Sequence, residues 1–193
     1  MTELMRRRRA LMAAGGGSPS PVLPDEYQQV AWLKCSAKAY NCVLTDVAVK
    51  DIATVEMDGD VYTSGDALPS LIFFRTSDSA ARMGYFNNNS YLSAFTASPV
   101  TAISSTYSGV TVFTKKSGYS TEAAKLYLFG GPGPNGDGKS REFKAYKITI
   151  NGGTLFNGIP VYRKSDNAKG LYDFVSGAFY PAVGSFTKGA DVT

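Results

Sequence analysis

Short runs in which apolar and polar residues alternate recur along most of the chain after residue 23. The clearest runs are residues 52–57 and 146–150, where every second side chain is apolar, which is the period of a strand with one buried face. In the second run Tyr146, Ile148 and Ile150 are expected to point to the same side of a sheet. The pattern therefore predicts β-strands rather than helices.

Shorter apolar runs predict the other strands, at residues 27–34, 61–62, 71–75, 83–86, 91–95, 110–115, 125–129 and 141–150. Turn-forming residues lie between them. Asp58-Gly59 is predicted to close a hairpin, and Asn151-Gly152-Gly153 is predicted to reverse the chain. Strands at this spacing predict an all-β fold, in the form of an antiparallel two-sheet β-sandwich.

The first 22 residues differ in composition from the rest and are interpreted as a basic arm and a linker. Four arginines against Glu3 give residues 1–17 a net charge of +3, which leaves +1 for the remaining 176 residues. Glycine, serine and proline at 15–21 predict a flexible to extended linker, and residues 23–193 suffice for one domain. The arm, extended or helical, is expected to dock on another protein through Leu4, Met5, Arg6, Arg7, Arg8, Arg9, Leu11 and Met12.

Protein docking is favoured over the two other uses of such an arm. Four charges give only weak, non-specific affinity for nucleic acid at physiological salt. The apolar stretch that follows the arginines is five residues long, shorter than the ~7–15 residues of a signal-peptide core. We therefore expect no specific nucleic-acid partner, no membrane partner and no secretion by this route.

The composition predicts a globular domain and excludes some kinds of catalysis. Hydrophobic residues make up 44% of the 193 positions, and 12 Tyr, 11 Phe and 20 Gly favour strands and turns. The chain has no histidine, so a Ser-His-Asp or Cys-His arrangement cannot form. Cys35 and Cys42 are interpreted as reduced, partly buried thiols, and a disulfide between them is left open.

Glu56 and Asp58 have the i, i+2 spacing that places two carboxylates on one face of a strand. A glycosidase needs such a pair, so hydrolysis of a polysaccharide by Glu56 is one hypothesis. We favour a structural role, because the predicted turn denies Asp58 the fixed position that acid–base catalysis needs. Asp58, Asp60 and Asp66 are likewise interpreted as turn formers. Calcium at these residues is left open, and no other metal or cofactor is expected.

One cluster of aromatic and amide side chains is a candidate for sugar binding. It consists of Tyr85, Asn87, Asn88, Asn89 and Tyr91. Its order also predicts a strand, a turn and a second strand, with the tyrosines packed on a sheet. We favour the packing role and keep glycan binding as the alternative.

The last fifty residues carry a fixed order of short motifs. They are Tyr162-Arg163-Lys164-Ser165-Asp166, Gly170-Leu171-Tyr172-Asp173, Ser176-Gly177 and Phe179-Tyr180, and near the front stands Leu23-Pro24-Asp25-Glu26-Tyr27-Gln28-Gln29-Val30. This order resembles the concanavalin A-like, laminin-G-like jelly-roll domains of bacteriophage and prophage virion proteins. The resemblance covers about residues 23–192, with gaps in the middle.

The resemblance implies a jelly roll with a non-enzymatic, structural role in the virion, as a head or tail fibre or a capsid decoration protein. It implies assembly in the host cytoplasm, contact with other virion proteins through the arm, and a homo-oligomer. A carbohydrate- or receptor-binding module for host-surface glycans is the alternative, and a glycosidase is a third hypothesis. Arg163, Asp166, Tyr172 and Asp173 are then expected to stabilise the fold rather than to form a site.

Residues 160–180 are predicted to cross the sandwich as one strand and a hairpin. The apolar residues expected to contribute core contacts there are Val161, Leu171, Phe174 and Phe179, with Tyr172 partly buried.

Overall fold

The computed structural model describes residues 21–36, 41–48, 52–62, 72–75, 95–98, 106–115, 125–129 and 142–193. These residues form thirteen strands and one 3-10 turn, Asn151–Gly153, and every strand pair is antiparallel. The all-β prediction is therefore confirmed for this part of the chain. Within it, no helix has the length and apolar character needed to cross a bilayer.

The strands follow one another as β1 (Tyr27–Gln29), β2 (Leu33–Cys35), β3 (Cys42–Ala48), β4 (Thr54–Tyr62), β5 (Ile72–Arg75), β6 (Phe95–Ser98), β7 (Thr106–Lys115), β8 (Lys125–Leu128), β9 (Glu142–Ile150), β10 (Phe156–Arg163), β11 (Lys169–Asp173), β12 (Ala178–Val183) and β13 (Phe186–Lys188). Hydrogen bonding connects ten of them in the order β5-β8-β3-β12-β11-β10-β9-β4-β7-β6. Strand β12 joins β5, β8 and β3 to the other strands of this order, since it pairs with β11 and, at its end, with β3.

The two ends of the domain pair with each other beside β9 and β10. Strands β9 and β10 pair only where Ile148 faces Gly158 and Ile150 faces Phe156, and they diverge beyond that point. Strand β1 then pairs with β10, and β2 pairs with β9 and β13. The single strand predicted at 27–34 is therefore two strands, because each half of the segment has a different partner.

The core is one contiguous cluster of buried side chains drawn from both ends and the middle of the chain. Its largest fully buried members are Phe129, Phe156, Leu33, Ile52 and Leu126. The ring of Phe129 lies 5.3 Å from that of Phe143 and 5.2 Å from that of Phe186, measured between ring centres. Residues far apart in sequence thus share one core, and burial of their apolar surface is the main stabilising term of the fold.

The hairpin predicted at Asp58-Gly59 is wrong, because β4 continues through both residues from Thr54 to Tyr62. A β-carbon at Gly59 would lie 2.6 Å from the carbonyl oxygen of Lys144 and 2.8 Å from the ring of Phe143. The glycine therefore allows β9 and its side chains to approach β4 closely and does not form a turn.

The face predicted for Tyr146 is also wrong, because β9 contains a bulge there. Asp58 faces Lys147 and Gly59 faces Ala145, so Tyr146 is the extra residue of β9 at this point. Ala145 and Ile148 are both buried although three positions separate them. The bulge reverses the alternation, and the Tyr146 hydroxyl donates a hydrogen bond to Asp60 Oδ2 at 2.7 Å.

Two strands were not predicted, β3 and β13. In β3 the inward positions include Thr45, a polar residue that is fully buried. Its hydroxyl donates to the Leu126 carbonyl at 3.1 Å and accepts from the Val47 amide at 3.2 Å, where the pairing of β3 with β8 shifts register. The hydroxyl therefore replaces strand hydrogen bonds at this register shift. Because the inward-facing residue is polar, the alternation of apolar and polar residues that would predict a strand is interrupted.

The C-terminal region forms β10 followed by a hairpin of β11 and β12, so the strand and hairpin predicted at residues 160–180 are confirmed. Val161 and Leu171 are fully buried, as predicted, and Tyr172, predicted to be partly buried, is buried with 7% of its surface exposed. Phe174 and Phe179 are only half-buried, so their assignment to the core is wrong. Phe174 lies just beyond β11, and its ring packs edge-on against Tyr172 at 5.3 Å.

We predict that Phe156→Ala lowers the free energy of unfolding by about 3–5 kcal/mol, because it removes a fully buried ring from the core. The matched variant Phe174→Ala should cost only about 1 kcal/mol, since that ring is half-buried. Urea denaturation of both variants measures the difference. Equal losses would contradict the assignment of Phe174 to the periphery.

Candidate functional site

Two groups of predicted site residues lie outside the described part of the chain. They are the glycan-binding candidates Tyr85, Asn87, Asn88, Asn89 and Tyr91, and the docking candidates of the arm at residues 4–9, 11 and 12. Both groups therefore stay predictions, and so does the role of Asp66 as a turn former.

The predicted acid pair shares the outward face of β4, as its spacing indicates. Glu56 is exposed and Asp58 is half-buried, and both lie in the continuous strand between β7 and β9. The interpretation of Asp58 and Asp60 as turn formers is wrong, because β4 continues through both residues. Among the described residues, no three acidic, cysteine or histidine side chains gather where they could hold a metal ion.

Asp60 forms part of a cluster around the ammonium group of Lys144. Lys144 Nζ lies 3.9 Å from Asp60 Oδ2, 4.8 Å from the centre of the Trp32 ring and 5.2 Å from that of the Tyr146 ring. Such cation–π contacts hold a lysine against aromatic faces. The cluster lies on the outer surface of β2, β9 and β4, and within it Asp60 contacts neighbouring side chains.

Arg163 and Asp166 form an ion pair, in keeping with the stabilising role expected of them. Arg163 donates to Asp166 through Nε at 3.1 Å and through its NH2 nitrogen at 2.6 Å, across the turn between β10 and β11. Asp166 also accepts the Ala168 amide at 3.0 Å. These hydrogen bonds, that from Arg163 foremost, lower the pKa of Asp166 to about 2.

Asp173 is buried and stabilises the turn that leads into β12. Its carboxylate accepts hydrogen bonds from the backbone amides of Asn157, Val175 and Ser176 at 2.7, 3.0 and 3.1 Å, and from the Ser176 hydroxyl at 2.6 Å. With no exposed surface of its own, the group is committed to these donors. It holds the fold and is not placed to act on a substrate.

The front motif and the C-terminal signature are in direct contact. Tyr27 of the front motif packs against Tyr172 and Phe179, with ring centres 5.1 and 5.2 Å apart. The Lys164 amide donates to the Glu26 carbonyl at 2.9 Å. The two stretches that carry the resemblance to phage domains therefore form one structural unit.

Both cysteines are free and buried, so the interpretation as reduced thiols fits and their burial is more complete than predicted. Burial raises the pKa of the Cys35 thiol to about 12, although Cys35 Sγ accepts the Phe143 amide at 3.3 Å. Burial also raises the pKa of Cys42. Thiolates are the reactive form, so neither residue is prepared for nucleophilic chemistry.

A groove of about 480 Å³ opens beside the cluster around Lys144, between β2, β13 and the start of β9. Its polar walls are formed by Lys34, Ser36, Glu142, Ser185 and Thr187. The Lys34 ammonium and the Glu142 carboxylate form an ion pair in which each side chain is 31% exposed. Cys35 and Phe186 are buried in the core, on the opposite face of these strands from Lys34, Ser185 and Thr187.

Asn41 fixes the two serines of the groove relative to each other. Its side-chain amide donates to the carbonyl and the hydroxyl oxygens of Ser36 at 2.9 and 2.8 Å, and its Oδ1 accepts the Ser185 amide at 2.7 Å. The Ser36 amide in turn donates to the Ser185 carbonyl at 3.1 Å. Because Asn41 is only 2% exposed, these contacts are shielded from water.

No sequence pattern indicated this groove. Its residues come from three segments, and 108 positions separate neighbours such as Cys35 and Phe143. Serine, threonine and an isolated Lys–Glu pair form no motif at that separation. Only recognition of the β2–β13 pairing would have brought them together.

Comparison of the chain with models of protein families, with curated proteins and with solved structures finds no match. The resemblance to phage jelly-roll domains therefore rests on the motifs themselves, and the functions that it implies are proposals.

We predict that Asp173→Ala destabilises the domain by several kcal/mol, because about 1–3 kcal/mol is lost for each buried donor left without a partner. Asp166→Ala is the matched control, since that carboxylate is exposed and should cost much less. Thermal unfolding followed by circular dichroism compares them. A parent-like melting temperature for Asp173→Ala would show that these hydrogen bonds are dispensable.

We predict that the carboxyl group of Asp166 titrates near pH 2 in the folded protein. Its pKa is lowered on folding, so its contribution to stability is present above the unfolded value of about 3.9 and is lost as the pH falls towards 2. In Arg163→Met the midpoint should rise, because the first cause of the shift is removed. An NMR titration of the carboxyl carbon measures both midpoints, and a parent midpoint near 4 would disprove the pairing in solution.

Proposed function

We propose that this protein is a non-enzymatic structural component of a bacteriophage virion, a head or tail fibre or a capsid decoration protein. Its β domain is displayed on the particle, and its N-terminal arm docks on other virion proteins. In this proposal the chain is assembled in the host cytoplasm as a homo-oligomer, without a cofactor, a membrane partner or a specific nucleic-acid partner.

The observation that carries the proposal is the unit formed by the front motif and the C-terminal signature. Strand β1 pairs with β10 along its whole length, and Tyr27 packs on Tyr172 and Phe179. Residues that are widely separated in sequence, and that together resemble the phage domains, are used jointly to build one part of the fold. This is the expected result if the resemblance reflects a shared architecture.

We further propose that the architecture is a concanavalin A-like jelly roll with two facing sheets. The divergence of β9 from β10 and the passage of β12 from β11 to β3 support it. Strands that change partners in this way allow a long antiparallel sheet to fold over a single core. A single contiguous buried cluster, as found in this chain, is what two facing sheets would enclose.

The carboxylates of the described residues favour a structural protein over a glycosidase. Asp173 and Asp166 are held by hydrogen bonds within turns, and Asp60 contacts Tyr146 and Lys144. Glu56 is exposed on a flat strand face, opposite Val112 and Thr149. If the purified protein cleaved a polysaccharide and the Glu56→Gln variant did not, the enzyme hypothesis would be favoured instead.

We predict that deleting residues 1–21 leaves a folded domain that no longer enters the particle. Within the described residues, Val22 is 87% exposed and the backbone hydrogen bonds begin with the one that Tyr27 donates to Pro24, so we expect the domain to fold without residues 1–21. Circular dichroism of the truncated protein and mass spectrometry of purified particles measure the two effects. Replacement of Arg6 to Arg9 by glutamine is the control that keeps the length and removes the charge.

The two parts of the proposal fail in different ways. Incorporation of the truncated chain at the parental level would disprove docking by the arm. Absence of the full-length chain from purified particles would disprove the virion role.

A further inference from the structure

We propose that the N-terminal arm of one copy of this chain docks on an aromatic face of a second copy. The aromatic face lies on β1, β11 and β12 and consists of Tyr27, Tyr172, Phe174 and Phe179, whose rings contact one another. This docking rests on the proposed function, in which the arm binds virion proteins and the chain forms a homo-oligomer. It adds the identity of the partner and the surface that receives the arm.

The aromatic face is the side of the sheet turned away from the core. Strand pairing places Tyr172 opposite Phe179 and, next to them, Leu171 opposite Tyr180. Leu171 and Tyr180 belong to the buried core cluster, which contains none of the four rings of the aromatic face. Because side chains alternate along a strand, Tyr172 and Phe179 project from the other side of the sheet, where Tyr27 packs on both.

The aromatic face keeps apolar surface exposed. Tyr27, Phe174 and Phe179 are half-buried, and Tyr172 is the one ring of the four that is buried. Val175, next to Phe174 in the chain, is 45% exposed. Apolar side chains that are exposed together, rather than singly, mark interaction surfaces. The face is therefore suited to receive a partner with apolar and aromatic-binding side chains.

An arginine of the domain already lies against this face. The guanidinium carbon of Arg163 is 5.3 Å from the centre of the Phe179 ring. Guanidinium groups stack on aromatic rings and keep their edges available for hydrogen bonds. The half-buried rings of Tyr27 and Phe174 offer the same kind of contact to Arg6 to Arg9 of the arm.

Carboxylates beside the face complement the positive charge of the arm. Asp25 and Glu26 directly precede Tyr27 and are exposed. Within the described part of the chain neither carboxylate forms an ion pair, and Lys164 Nζ binds the backbone carbonyl of Asp25. An arginine at this place has an aromatic ring and a carboxylate as partners, and its planar, charged fork suits both.

The course of the chain before the domain favours a second copy over the arm's own domain. Val22 is 87% exposed, so the chain leaves the surface of the domain there. The segment Ser18-Pro19-Ser20-Pro21 is expected to be extended, because a residue before proline is restricted to extended conformations. An extended chain from Met12 to Pro21 spans about 30 Å. The arm is therefore carried away from its own domain and within reach of a neighbour.

The first experiment locates the arm by photo-cross-linking in the full chain. p-Benzoylphenylalanine replaces Met12, and this chain is mixed with isotopically labelled parent chain and irradiated. Trypsin releases residues 170–188, which include three of the four rings, as one peptide. Mass spectrometry then identifies the cross-linked residue and, from the label, the copy to which it belongs. The same probe in place of Glu56, on the outward face of β4, is the control.

The second experiment measures association of two full-length variants by sedimentation. The face variant carries Phe174→Ala and Phe179→Ala, and the arm variant carries glutamine in place of Arg6 to Arg9. Each variant alone lacks one side of every contact and should associate about tenfold more weakly than the parent. A mixture of the two restores one complete contact in each mixed pair, so it should associate more tightly than either alone.

The control for the second experiment is Leu44→Ala, which shortens an exposed apolar side chain of β3 and should associate like the parent. Circular dichroism verifies that each variant is folded. The cross-linking needs no change in the aromatic face, so it tests the proposal even if the face variant fails to fold.

We expect the probe at Met12 to cross-link to residues 170–188 of the labelled copy, and the mixed variants to associate where each alone is weak. The proposal is overturned if Met12 cross-links only within its own copy or to another surface. It is equally overturned if the mixture associates no better than the separate variants, or if the parent chain stays monomeric at high micromolar concentration.

Failure of this proposal is distinguishable from failure of the virion role, because both experiments use purified chain without particles. A chain that enters particles through its arm, and yet gives no cross-link to residues 170–188 of another copy, retains the virion role and loses the aromatic face as its partner surface.

Discussion

The structure depends above all on the antiparallel pairing of the two ends of the domain. Cys35 faces Phe186 and Leu33 faces Lys188, and the pairing continues to a hydrogen bond between the Val192 amide and the Gln29 carbonyl. Because β2 also pairs with β9, and β1 pairs with β10, these two strands fill the space that opens where β9 and β10 diverge. Pairing of such distant segments costs loop entropy, which the burial of the shared core must offset.

Polar side chains support this arrangement at the points where regular strand pairing ends. Asp173 binds three backbone amides after β11, and Thr45 binds the backbone where β3 and β8 change register. Asn151, in the predicted turn, accepts the amides of Ala53 and Thr54 at 2.9 Å and so fixes the start of β4. Each group satisfies backbone donors or acceptors that the sheet cannot. Asp173 and Thr45 belong to residue types that also serve in catalysis, but here their side chains stabilise the fold.

The signature residues stabilise the fold, and they are not among the residues that line the groove between β2, β13 and β9. The signature residues Arg163, Asp166 and Asp173 bind one another or nearby backbone, whereas the groove wall at Ser185 and Thr187 is exposed.

The sequence by itself determined the features that depend on near neighbours. Most of the strands, the turn at Asn151 to Gly153 and the Arg163–Asp166 pair were predictable, because strand period and turn chemistry act over a few residues. The bulge at Tyr146, the passage of β4 through Asp58-Gly59 and the half-burial of Phe174 were decided by tertiary structure. They depend on which strand lies opposite, and no local pattern contains that information. The groove is the extreme case, since it exists only once β13 has paired with β2 and brought Ser185 and Thr187 beside Lys34.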